Sequence, residues 1–343
     1  MASPTDTTIR THPSGVILLR DQTTLGTEEL RRRFRTGGLR RITRGVYATG
    51  EDRPRYEEYR LRAAAAGLIH SDATVTGTGA AALRGLDFLY PPGLIVDVLS
   101  PRVNGSRKSG FVRLRQHRNS HGEAEDVTAE DTARGAQEDR GNGDTLTSAE
   151  IRTTSPAHSA IEAAMIHGPR SGLVIAESAL WKGKCRREDL AAALNATPNR
   201  KGRPAARFVS RFARDRSQSV GETLTTWCIW KAGLPEPLQQ VDIFDEHGQW
   251  VAKVDFFWPK LGIIIEFDGE VKMSGEYGDP VTAARKRLER DTALTNLGMR
   301  ILHLKWAEVF TEAGIPTIRS FYGQFERFGG GYIGTWRLAD LRR

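Results

Sequence analysis

The stretch Val251–Lys272, VAKVDFFWPKLGIIIEFDGEVK, leaves this chain few ways to fold. Two apolar runs, Val251–Trp258 and Ile263–Phe267, stand either side of Pro-Lys-Leu-Gly. β-Branched and aromatic residues in runs of this length suit strands, and Pro259 and Gly262 bracket a turn. The pattern predicts an antiparallel hairpin with a four-residue loop, Pro259–Gly262. Trp258 then faces Ile263, and counting back along both strands sets Asp255 opposite Glu266. Cβ atoms of such a pair lie roughly 4.5–5.5 Å apart. Side chains alternate along a strand, so Asp268 shares the face of Glu266.

Three carboxylates gathered beside apolar strands repel one another and raise one another's pKa. Surface strands do carry Asp and Glu facing solvent, but Glu266 and Asp268 close a run of three isoleucines. A hard divalent cation, Mg²⁺ or Mn²⁺, relieves the repulsion because it prefers oxygen ligands. Such a cation polarises a phosphodiester and lowers the pKa of a bound water. Asp255, Glu266 and Asp268 are therefore candidate metal-binding and catalytic residues.

The surroundings extend the pattern. Ser219-Val-Gly-Glu222 opens a helix running to about Ala232, Thr282–Leu297 has a helical pattern with the charge run ARKRLERD, and Met299–Trp306 reads as a closing strand. Asp, a short turn, then an apolar strand ending Glu-x-Asp-Gly resembles the core of the PD-(D/E)xK nuclease superfamily. Within it, the stretch is similar to a domain-of-unknown-function family related to very-short-patch-repair endonucleases, over roughly residues 215–310. The resemblance implies an αβββαβ domain, DNA hydrolysis, and a further metal-binding acid on the first helix, here Glu222. It also implies a lysine two positions after the second acid, to orient water and stabilise phosphate charge. Asp268 stands there instead, so the ammonium is expected from Lys272, or from Lys286 on the following helix.

Positive charge concentrates at the other end of the chain. Arg31, Arg32, Arg33, Arg35, Arg40, Arg41 and Arg44 fall within fourteen residues that contain no acid. Thr27-Glu-Glu predicts a helix start with Thr27 as N-cap. Gly37-Gly38 stops the helix, and Leu39–Ile42 and Val46–Ala48 follow as short strands. A basic helix before a small hairpin is the layout of a winged helix-turn-helix. The wording GVILLRDQTTLGTEELRRRFRTGGLRRITRGVYA resembles the N-terminal domain of AbiEi-type antitoxins and related regulators. That resemblance implies DNA binding, with the seven arginines meeting phosphates and base edges.

Between these ends, Tyr56–Gly67 predicts an Ala-rich helix, Leu94–Leu99 and Phe111–Leu114 strands, and Ala157–His167, Leu173–Trp181 and Arg187–Leu194 helices. This part looks like the body that follows the winged helix in AbiEi-like proteins, with Gly79-Ala-Ala-Ala82 and Thr154-Ser-Pro-Ala157 as its marks. Glu123–Asp144 is acidic, broken by Gly and poor in large apolar residues, which predicts an exposed loop. Asn199–Gln218 is a basic connector in which Phe208 and Phe212 share a helix face. Aromatic residues of the tail, Tyr322 to Trp336, are expected to cover the C-terminal sheet.

The expected fold is thus α/β (α+β), with a winged helix-turn-helix at 1–52 and a mixed α/β body at 53–198 carrying an acidic loop at 121–146. A connector at 199–218 leads to the nuclease-like domain at 219–343. Cys185 and Cys228 offer neither a disulfide framework nor metal spacing, which fits a reducing cytoplasm. No run has the length and apolarity of a membrane span. A net charge of +8, with a pI near 9.6, favours a polyanionic partner. The expected function is a DNA-binding, Mg²⁺- or Mn²⁺-dependent endonuclease in a defence or toxin–antitoxin setting. The alternative is an AbiEi-type antitoxin or transcriptional regulator whose nuclease-like domain is inactive. A homodimer and a cognate toxin are the protein partners these readings allow.

Overall fold

The computed structural model describes residues 8–117, 125–127, 151–269, 280–328 and 331–341. The chain is mixed α/β and divides into two compact units, Met1–Ala213 and Arg214–Arg343.

In the first unit, β1 (Ile17–Leu18), β2 (Leu39–Thr43) and β3 (Val46–Thr49) form an antiparallel sheet in the order β1-β3-β2. The basic helix α1 spans Thr24–Arg35. Its cap is Thr23, whose hydroxyl accepts from the Gly26 N–H at 3.1 Å, four residues before the expected Thr27. Gly37, at a φ of 82°, lets the chain leave the helix, a left-handed conformation that glycine adopts without steric cost. The hairpin expected behind the helix is β2–β3. Among the described residues up to Thr49, one α-helix and one 3-10 turn accompany this three-stranded sheet. Ile17–Leu18 pair with Val46 and Tyr47, and only one 3-10 turn, Leu19–Asp21, fits between that strand and Thr23.

The predicted boundaries at 52 and 198 both fall inside this unit. One core runs from Val16, Leu18, Val46 and Ala48 into α2 (Arg55–Ile69), α3 (Gly77–Leu83) and the helices α4 (Pro156–His167), α5 (Pro169–Trp181), α6 (Arg187–Ala196) and α7 (Arg203–Phe212). Ala63–Ala66 of α2 are fully buried, so small side chains let this helix approach its neighbours closely. A mixed sheet completes the unit, in the order β6 (Ser106–Ser109), β7 (Val112–Gln116), β5 (Val96–Ser100), β4 (Thr74–Val75), β9 (Ile151–Thr153) and β8 (Glu125–Val127). Three residues of the expected acidic loop therefore pair as a strand, β8 with β9, and the rest of 121–146 lies outside the described residues. The basic connector is largely α7, with Ala206 and Val209 buried and Phe208 stacked on Phe212 at 4.6 Å.

The second unit runs α8 (Val220–Lys231), β10 (Leu238–Phe244), β11 (Trp250–Trp258), β12 (Ile263–Asp268), α9 (Pro280–Asn296), β13 (Arg300–Lys305), α10 (Trp306–Phe310), α11 (Ile315–Phe328) and β14 (Thr335–Leu338). Its sheet order is β13-β12-β11-β10-β14. All pairs are antiparallel except β12 with β13, a parallel pair whose crossover contains α9. Ile263, Ile264 and Ile265 are completely buried, which explains an apolar run at a central strand. The tail contributes as expected and more. Tyr332 and Trp336 set their rings edge-on to Phe257, and Thr335–Leu338 adds an edge strand to β10. No helix among the described residues is long and apolar enough to cross a membrane.

Candidate active site

The β11–β12 hairpin turns where predicted, pairing Trp258 with Ile263 and Phe256 with Ile265. One step on, Asp255 stands opposite Glu266, and its Oδ2 accepts from the Phe267 N–H at 3.0 Å. Glu222 arrives from α8. Ser219 caps that helix, its hydroxyl accepting from the Glu222 N–H at 3.2 Å and donating to Glu222 Oε1 at 2.9 Å. The Ser219 hydroxyl thus caps the helix and holds the Glu222 carboxylate at once. The Gln218 N–H donates to Glu222 Oε2 at 2.9 Å. Gly221 is what lets α8 come this close to β12. A Cβ at that position would lie 2.0 Å from the Phe267 ring.

Asp255 acts on both Glu222 and Glu266. Burial, then the Asp255 charge, pushes Glu222 up to about 7 and Glu266 up to about 8. Arg290 opposes the rise at Glu266, from 3.4 Å. Glu266 is 6% exposed, and its Oε1 is buried without a hydrogen-bond partner. Gln240, on β10, joins two of the acids. Its Nε2 donates to Glu222 Oε2 (3.0 Å) and to Asp255 Oδ1 (3.1 Å). Its backbone sits at a φ of 54°, in the left-handed region. That conformation costs a non-glycine residue roughly 1–2 kcal/mol. Arg216 and the Ala339 N–H hold the Gln240 carbonyl at 3.2 and 2.9 Å.

Asp268 belongs to an adjoining set of charges. It takes an ion pair from Arg287 of α9, one turn before Arg290. His303 of β13 lies between two carboxylates, its Nε2 2.8 Å from Asp291 Oδ2 and its Nδ1 3.8 Å from Asp268 Oδ2. Register also sets Lys305 beside Asp268 on the neighbouring strand. Lys286 is exposed on α9, and Lys272 lies outside the described residues. Among the described residues, no three His, Cys, Asp or Glu side chains are gathered closely enough to hold a metal ion as they stand. The donor set is nevertheless of the kind Mg²⁺ or Mn²⁺ takes, carboxylate and amide oxygens only. Two of those oxygens, Glu266 Oε1 and Gln240 Oε1, are buried and unpartnered.

The seven arginines between Arg31 and Arg44 fall into two groups. Arg32 and Arg33 are drawn to Glu29, at 2.6 and 2.7 Å, and lower its pKa to about 2. Arg40 pairs with Glu58, which Arg62 also reaches at 2.9 Å. Arg31 and Arg35 instead line an open concavity with Phe34 and Tyr47, and Arg41 and Arg44 are exposed on the hairpin and its turn. Sequence reasoning missed Gln240, the Arg287 and Arg290 pair and His303. An i,i+3 spacing in ARKRLERD, and two glutamines inside a strand, were the signals available.

No family model matches the chain. It is similar to two proteins of Mycobacterium tuberculosis, one from strain CDC 1551 / Oshkosh and one from strain ATCC 25618 / H37Rv, each named only as an uncharacterized protein. Each is 33% identical over 116 residues, which is 34% of this chain and 42% of the relative. The match thus spans less than half the length of either protein.

Proposed function

We propose that this chain is a DNA-binding, divalent-metal-dependent endonuclease, with the arginines of the first unit on DNA and the acids of the second on the phosphodiester. The observation that carries the reading is the burial of Glu222 and Glu266 on either side of the half-buried Asp255, with Glu266 Oε1 left unpartnered. Burying like charges costs several kcal/mol per ion unless something positive completes the set. Glu222, Asp255 and Glu266, with Asp268 at the strand end, would hold Mg²⁺ or Mn²⁺, which when bound polarises a phosphodiester and acidifies a water. Arg287 and Arg290 are suited to meet phosphate oxygens and offset developing charge. A guanidinium keeps its proton at neutral pH, so an ammonium contributed by Lys272 remains part of the proposal. Supporting the DNA role, Arg31, Arg35, Arg41 and Arg44 are exposed. A winged-helix relationship, a cytoplasmic defence or toxin–antitoxin setting and a homodimer belong to the same proposal by domain analogy.

One observation favours a second reading, an AbiEi-type regulator with an inactive nuclease-like domain. Each acid already has a protein donor or cation, Gln240 on Glu222 and Asp255, Arg290 on Glu266 and Arg287 on Asp268. The experiment that separates them is incubation of wild type and Asp255→Asn with plasmid and with single-stranded DNA, in Mg²⁺, Mn²⁺ or EDTA. Cleavage by wild type alone, and only with metal, is expected. DNA retention without cleavage in any condition transfers the case to the regulator.

A further inference from the structure

We propose that Gln240 is the neutral member of this site. Its amide nitrogen keeps the seat between Glu222 and Asp255 in the metal-free chain, and its amide oxygen becomes a ligand when a divalent cation takes that seat. The inference rests on the cation reading above and adds to it a fifth donor and a way of guarding the site.

Three observations lead here. Both carboxylates accept from one nitrogen, so the Gln240 amide protons lie where two anions converge. That is the position a cation would occupy. The other end of the same amide, Oε1, is buried without a hydrogen-bond partner, although Gln240 is only 2% exposed. A buried carbonyl oxygen with nothing to accept is an uncommon arrangement and calls for a partner. Finally, the place of the side chain is imposed from outside its own strand. Gln239, Gln240 and Val241 are buried in succession, against the alternation of a regular strand. The left-handed backbone at Gln240 makes that possible, and Arg216 and Ala339 hold its carbonyl.

The chemistry makes the two states exclusive. Without metal, turning the amide over would point Oε1 at two carboxylates, and repulsion keeps the nitrogen inward. With a hard divalent cation between the carboxylates, the nitrogen becomes the repelled end and the oxygen the favoured one, since amide carbonyls are ordinary ligands for such ions. Rotation about the last side-chain torsion accomplishes the exchange without moving the backbone.

The test measures binding rather than cleavage. The full-length chain is titrated with MnCl₂ by calorimetry without DNA, and thermal melts are recorded in EDTA and in excess MnCl₂. Gln240→Glu replaces the amide by a further carboxylate of the same shape. It should melt lower than wild type in EDTA, gain more from Mn²⁺, and bind Mn²⁺ at least about tenfold more tightly. Gln240→Leu should weaken Mn²⁺ binding by about 10- to 100-fold, the range seen when partners of a metal site are removed. If the leucine variant does not fold, the glutamate variant decides alone. Wild-type affinity in either folded variant overturns the role of Gln240 and leaves the cation reading standing. A wild type that binds no Mn²⁺ overturns both.

Discussion

Asp255 accepts from the Phe267 N–H on one oxygen and from Gln240 Nε2 on the other, while its charge presses on Glu222 and Glu266. Asp255→Asn keeps one acceptor and turns the other position into a donor facing a donor, a loss of about 1–3 kcal/mol. It also removes the repulsion. Which effect wins depends on pH. Glu222 and Glu266 are carboxyls whose folded pKa is raised, to about 7 and about 8, above the unfolded value. They bind more protons folded than unfolded, so their contribution is fully present at low pH and is lost as pH rises through those values. In EDTA, the second unit should therefore melt progressively lower from pH 5 to pH 8. Asp255→Asn should melt below wild type at pH 5, where the repulsion is absent, and show a flatter decline. Circular dichroism melts at the two pH values check this, and parallel slopes for the two proteins would reject the coupling. Mg²⁺ or Mn²⁺ should raise the wild-type melting temperature by mass action and raise that of Asp255→Asn much less. The Asp255–Glu266 juxtaposition was legible in the sequence because loop length and strand parity determine it locally. The partners of Asp255 were not, because Gln240 reaches it from another strand.

The helices decide what these side chains meet. On α1, Glu29 already engages Arg32 and Arg33, whereas Arg31 and Arg35 face an open concavity. Replacing Arg31 and Arg35 by Ala should therefore flatten the salt dependence of DNA binding more than replacing Arg32 and Arg33. For every phosphate the protein ceases to neutralise, the slope of log K against log salt falls by about 0.9. Fluorescence anisotropy across a salt series measures it, and equal slopes for both pairs would remove this distinction. On α8, Gly221→Ala places a methyl where the Phe267 ring now lies, which must push the helix and Glu222 away from β12. Overpacking of this kind costs about 1–3 kcal/mol. Urea unfolding should show that loss together with weaker Mn²⁺ binding. The dense charge of α9 is visible in the sequence, but only the packed helix shows Arg287 reaching Asp268 and Arg290 reaching Glu266.

The two units carry separate cores, one built on α2 to α7 and one on Val241, Val254, Phe257 and Ile264. Residues 214–343 should accordingly fold alone, and the starting point matters. A fragment beginning at 219 lacks Arg216, which donates to the carbonyls of Gln239, Gln240 and Ala339. It should melt below the fragment beginning at 214, and equal melting temperatures would assign Arg216 no part in holding the β10 kink. Taken by itself, the sequence determined the hairpin, its register and the acids that follow from it, the basic helix with its hairpin, and the helices of the body. All of these rest on spacing, turn residues and parity within a few positions. Tertiary structure alone decided that Val16, Leu18, Val46 and Ala48 share a core with the body, that a strand pairing leaves only one turn before α1, and that Thr335–Leu338 completes the second sheet. It also decided that Gln240 is inverted between two carboxylates and that α9 turns its arginines onto the acids. These depend on which surfaces exclude water together and which distant charges then meet, and no local pattern specifies that.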